Sequence, residues 1–196
     1  IAVTTALACL TGLPLIFFGG LEMILIGILC VVFCFLYTTH LSYVGMGDVL
    51  VVVFFGFVPV CIPYYIETHT LTVQAAMASL ACGLVIDTLL VVNNYRDIEN
   101  DRRAGKMTIC VRMGAAKSRT FYLFLGFIAF LIGGFYIVGG YLLAAIMPLP
   151  YLLLHYFTYR NMVKIGSGKA LNSVLGETAR NMFVYGMLVS LGILLS

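Results

Sequence analysis

"VQAAMASLACGLVIDTLLVVNNYRDIENDRRAGK", residues 73–106, begins as an almost continuous apolar run and ends as the most polar stretch of the chain. The run 72–93 is long enough to cross a hydrocarbon layer of about 30 Å at about 1.5 Å per helical residue. Its continuation, 93–106, gathers the carboxylates Asp97, Glu99 and Asp101 with the cations Arg96, Arg102, Arg103 and Lys106. A membrane-crossing helix that empties into a dense charge cluster sets two questions: what the remainder of the chain does in the membrane, and what the cluster is for.

The rest of the sequence repeats the apolar half of this pattern. Of 196 residues 62% are hydrophobic and 10% charged, against roughly a quarter charged in ordinary globular domains. A soluble domain of this length has no interior large enough for so many helices that are apolar all round. Hydropathy predicts seven membrane helices, at 2–18, 21–37, 49–66, 72–93, 119–138, 140–158 and 177–196. The fold class is therefore an all-α polytopic bundle, with residues 1–196 expected to form a single membrane domain. The six cysteines form no CxxC pair and none lies next to a histidine, so they read as small buried hydrophobes. The chain opens on Ile1 without a signal-peptide n-region.

Seven spans put the connections 38–48, 94–118 and 159–176 on one face. All eleven lysines and arginines of the chain fall on that face, the last of them Arg180 just inside the final helix. The positive-inside rule makes the face cytoplasmic. Three polar loops thus converge at one membrane surface, and a site is expected there.

Asn93, Asp97 and Asp101 recur at i, i+4 and i+8. On a helix they form one stripe, and like charges at that spacing destabilise it unless something neutralises them. Hard oxygen ligands on one face suit Mg²⁺, which takes one or two carboxylates and leaves its other positions to water and substrate phosphate. The nearby cations Arg102, Arg103, Lys106 and Arg112 suit a departing diphosphate. The competing reading is a solvated loop whose cations only set topology. No P-loop is present, so nucleotide hydrolysis is not expected.

The stretch "NNYRDIENDRRAGKMTICVRMG" (93–114), with "LSYVGMGDVLVVVFFGFVPV" (41–60) and "LNSVLGETAR" (171–180), resembles the intramembrane UbiA-type aromatic prenyltransferases. Within them the likeness is to the branch that prenylates 1,4-dihydroxy-2-naphthoate in menaquinone synthesis, and it covers essentially the whole chain. The resemblance implies an expected nine helices around a central cavity, with two facing aspartate-rich motifs that bind a polyprenyl diphosphate through Mg²⁺. The sequence carries only the second motif. The family's first motif and two further helices are expected upstream of Ile1, and 1–196 alone is expected to be inactive.

By the same likeness Asn93, Asp97 and Asp101 would ligate Mg²⁺. Lys106 and Arg112 would contact the diphosphate, with Arg102 and Arg103 as helpers. The naphthoate would attack the prenyl C1 and lose CO₂. Ser42, Tyr43 and Asp48 would belong to a loop that caps the acceptor, although Asp48 also reads as a helix N-cap and Tyr43 as an interfacial anchor. The expected partners are the two substrates and the bilayer, with no nucleic acid. Asp87, inside the fourth span, reads as a protonated or hydrogen-bonded acid between helices, or alternatively as a cavity-lining group. Two alternatives remain: a prenyltransferase for another aromatic acceptor such as 4-hydroxybenzoate, haem or chlorophyll, or a transporter whose charged loop is regulatory.

Overall fold

The computed structural model describes residues 2–196 and, among them, contains only helices and their connections. Six helices are long and apolar enough to cross a membrane, and a shorter apolar one precedes them. In chain order they are α1 (Val3–Gly19), α2 (Glu22–Leu41), α3 (Gly47–Thr68), α4 (Val73–Arg96), α5 (Ile98–Arg103, a short polar helix), α6 (Ile109–Gly139), α7 (Leu142–Ile165) and α8 (Lys169–Leu195). The seven expected spans correspond to these elements apart from α5, with α1 interrupted by a 3₁₀ turn at Leu13–Leu15 that contains Pro14.

The connections on the basic face are shorter than hydropathy alone predicts. The expected 94–118 loop contains α5 and the whole first part of α6, and the expected 159–176 loop is mostly helical. The reason is burial: Cys110 and Val111 are buried, and the Thr108 hydroxyl caps the start of α6 by accepting from the Val111 amide at 3.3 Å. Such a segment is helical because of what it packs against, although its own polarity reads as loop. At Gly114 the chain leaves helical geometry (φ 75°, ψ 168°) and re-enters it. A side chain is disfavoured at that positive φ, which accounts for the glycine in "VRMG".

α4 lies at the centre of the bundle, with Val85, Val91, Val92 and Tyr95 buried. In a membrane, helices associate by close packing rather than by hiding apolar surface from water, and small residues permit the closest approach. Gly56 of α3 and Gly83 of α4 serve this crossing. A Cβ on Gly56 would lie 2.6 Å from the Ser79 carbonyl oxygen, and one on Gly83 would lie 2.9 Å from that of Val52. The α3 ladder widens into π-type turns at Val52–Phe57, just ahead of Pro59, which has no N–H to continue it.

α6, α7 and α8 are joined by buried polar contacts. The Tyr122 hydroxyl lies 3.1 Å from the Thr178 hydroxyl, and the Asn181 amide donates to Thr158 at 2.9 Å. His155 is fully buried, stacked between Tyr122 and Tyr151, with Nε2 3.1 Å from the Tyr122 carbonyl oxygen. The aromatic run around it suggests a position near the interface, and the structure corrects this to the bundle core. The cysteines also differ from expectation. All six are free, but only Cys110 is buried, while Cys9 and Cys34 are exposed.

Direct hydrogen bonds tie the three converging connections together. Met107 N donates to Tyr43 O at 2.9 Å, the Arg112 guanidinium to Val44 O at 2.8 Å, and the Tyr95 hydroxyl to Gly166 O. Loops 42–46, 104–108 and 166–168 therefore form one surface at one end of the bundle.

Candidate functional site

The acidic stripe survives a break in its helix. Asp97 has left helical geometry (φ −102°, ψ 11°), yet Asp97 N still donates to Asn93 O at 3.2 Å and Asp101 N to Asp97 O at 2.8 Å. The i, i+4 spacing is thus carried across from α4 into α5, and the three side chains stay on one side.

Arg96 holds the stripe together. Its guanidinium donates to both Asp97 oxygens, at 3.1 and 2.6 Å, to Asn93 Oδ1 at 2.9 Å, and to Asn172 Oδ1 of α8 at 2.9 Å. A planar fork with five N–H donors is suited to such a cluster. The Arg96 bond holds the Asp97 carboxyl below its ordinary range, and Lys106 adds to the effect. Asp101 is different: burial pushes its carboxyl up, opposed by Lys106, whose Nζ lies 3.6 Å from Oδ1. Its Oδ2 is buried and without a hydrogen-bond partner.

Below the stripe opens a cavity of about 830 Å³. Its walls include Phe33 and Tyr37 of α2, Phe54 of α3, Leu90 of α4 and Leu175 of α8, with Asn93 at its polar lip. The cavity is apolar over almost its whole depth, so a hydrocarbon fits its walls and a charged group fits only its rim.

A second, much smaller space of about 10 Å³ lies beside the stripe, between Ser42, Asp48, Asn94, Lys106 and Thr108. It is the size of one water molecule. Ser42 and Asp48 are both buried here, and neither Asp48 oxygen bonds to another residue. Of the two readings of Asp48, the N-cap is ruled out. Met46 occupies the cap position and Asp48 lies within the first turn with no capping bond. Tyr43 is exposed, and its carbonyl is what joins the loop to Met107. Asp87 is buried and lines neither the large cavity nor this small one.

The remaining sequence-derived cations have other work in this structure. Arg112 spends its guanidinium on the carbonyls of Val44 and Met107, bracing loop 42–46. Arg102 pairs with Glu99 at 3.1 Å, and Arg103 bonds Glu99 O and Asn100, all on the exposed side of α5. Arg96 was the residue that sequence reasoning missed. Its signal was adjacency to Asp97 and i+3 spacing from Asn93, which made it look like one more topology cation.

Among the described residues no three His, Cys, Asp or Glu side chains converge as a metal site. The candidate donors are two carboxylates and one amide oxygen: Asn93 Oδ1 and both Asp97 oxygens already accept from Arg96, and Asp101 Oδ2 is orphaned. That set fits a Mg²⁺ that draws its remaining ligands from water and a phosphate-bearing substrate.

Comparison with known proteins places this geometry in context. The description "UbiA prenyltransferase family" matches residues 1–187. The 1,4-dihydroxy-2-naphthoate octaprenyltransferase of Haemophilus influenzae is 33% identical over 87% of this chain and 56% of its own length. The protein of the same name in Escherichia coli is 31% identical over 99% of this chain and 66% of its own length. UbiA prenyltransferase domain-containing protein 1 of Gallus gallus is 29% identical over 92% of the chain and 52% of its own length. The chain thus spans between about half and two thirds of the length of these three relatives. No solved structure matches it.

Proposed function

The chain belongs to the UbiA prenyltransferase family, and from that premise we propose that the protein it represents transfers a polyprenyl chain from its diphosphate to 1,4-dihydroxy-2-naphthoate. The acceptor carboxylate leaves as CO₂, the donor gives up pyrophosphate and no electrons are exchanged, so that the product is demethylmenaquinol, the reduced form of demethylmenaquinone. The observation that carries the reading is the junction of a charged oxygen cluster with the mouth of an apolar cavity, at Asn93. A prenyl diphosphate has the same two-part chemistry. The acceptor is assigned from the naphthoate octaprenyltransferases among the relatives.

Asn93, Asp97 and Asp101 would hold Mg²⁺, which when bound supplies positive charge to the diphosphate. Arg96, held between Asn93 and Asp97, keeps their oxygens aligned and neutral overall before substrate arrives. Lys106, half-buried beside Asp101, is placed to meet phosphate oxygens as charge develops on the leaving group. Arg112 acts through its brace: it fixes loop 42–46, and with it Ser42 and Tyr43, beside the acceptor position. The apolar walls exclude water from the allylic cation formed when the C1–O bond breaks. Cation distribution supports a cytoplasmic-side site in a cell membrane.

The test uses the natural full-length protein in membranes supplied with Mg²⁺, 1,4-dihydroxy-2-naphthoate and a prenyl diphosphate. Prenylated naphthoquinol, read as the quinone after air oxidation, and released CO₂ are expected with wild type and absent with the paired substitution Asp97→Ala and Asp101→Ala. Equal product from that variant overturns the assigned site, and no product from wild type overturns the reaction.

A further inference from the structure

The large cavity has a neighbour within the bundle. A second cavity of about 510 Å³ follows it, and Ile86 of α4 and Ala179 of α8 border both. The two spaces share one face of each helix. On α4 the face runs Asn93, Leu90, Ile86, Cys82, Ala78, and on α8 it runs Leu175, Ala179, Met182, Gly186, at steps of three or four residues. At about 1.5 Å per residue, Asn93 to Ile86 spans about 10 Å and Ile86 to Ala78 about 12 Å more. The cavities are therefore stacked along the α4–α8 cleft, below the polar rim.

The two chambers differ in character. The upper one is roomy enough for a drug-sized molecule, so a short geranyl tail anchored at Asn93 ends within it. The lower one is walled by Val85 and by the rings of Tyr136 and Tyr185. A longer tail has to pass the level of Ile86 and Ala179 to reach it.

We infer that Ile86 and Ala179 form a waist between the two chambers and determine which donor lengths the site accepts. The inference rests on the prenyl-transfer reading above. Ile86 is half-buried and branched, and Ala179 contributes only a methyl group to the opposing wall. The opening is set by those two side chains. A change of one or a few methylenes in an apolar pocket shifts discrimination on the order of tenfold or more.

The experiment measures kcat/KM of the full-length protein for geranyl diphosphate and for geranylgeranyl diphosphate with saturating naphthoate acceptor. Ala179→Phe narrows the waist and is expected to lower the long-to-short ratio on the order of tenfold, through KM for the long donor. Ile86→Ala widens it and is expected to raise the ratio. Unchanged ratios in both variants, or parallel loss of both donors, overturn the inference and indicate that the tail leaves sideways into lipid. If Ala179→Phe fails to accumulate, the ratio in Ile86→Ala decides alone: a rise supports the waist and no change overturns it. Wild-type protein inactive with either donor refutes the prenyl-transfer reading instead.

Discussion

Two polar clusters of the bundle are built on different terms. Around His155 the polar groups carry no net charge, stack on Tyr122 and Tyr151, and have no exposure at all. Around Arg96 the groups are ionic, partly exposed, and reach the cavity of about 830 Å³ at Asn93. The first cluster joins three helices where lipid offers no alternative partner. The second keeps charge and one orphaned carboxylate oxygen available to something from outside. In so apolar a chain, access and ionic character separate structural polarity from functional polarity better than burial does. Asp48 and Asp87 are both buried, and of the two only Asp48 borders a space beside the site.

If that contrast is right, damage to the two clusters has different signatures. The largest loss is expected from Asp97→Ala with Asp101→Ala, about a hundredfold or more in kcat/KM, with the thermal midpoint in detergent nearly unchanged. His155→Ala should do the reverse. It removes a stacked ring from a sealed site and costs about 3 kcal/mol of stability, read as a lower melting temperature, while the protein that remains folded keeps its turnover. An effect on kcat as large as that of the aspartates would erase the distinction.

Arg112→Ala tests the brace. Losing its bonds to Val44 and Met107 should raise KM for the acceptor on the order of tenfold, with kcat less affected. Arg112→Lys should recover little, because one ammonium cannot span both carbonyls with the same fork. A selective rise in KM for the diphosphate would return Arg112 to direct substrate contact. The smallest effect is expected from Arg102→Ala and Arg103→Ala, at most about twofold, since both side chains lie on the exposed side of α5. A strong loss there would extend the site onto that side.

The expected residues fared unevenly for a consistent reason. The stripe Asn93–Asp97–Asp101 was legible because i, i+4 neighbours meet on any helix, and local hydrogen bonds preserve that spacing even across the break at Asp97. Lys106 was legible because it follows closely on its partner. The bonds that Arg96 and Arg112 make to Asn172 and Val44 were not legible, because those partners are 76 and 68 residues away in sequence. The helical start of α6 was read as loop because its polarity is local, whereas the burial of Cys110 that makes it helix is not.

By itself the sequence determined the membrane class, the approximate placing of the apolar helices, the charged end and the spacing of the oxygen stripe. All of these follow from hydropathy and helical period, which act within one or two turns of chain. Only the tertiary structure decided which cation holds the stripe, which one braces the loop, where His155 lies and how deep the cavity runs. Those depend on how helices cross, and the crossing is set by close approaches such as Gly56 to Gly83, between residues that no local pattern connects.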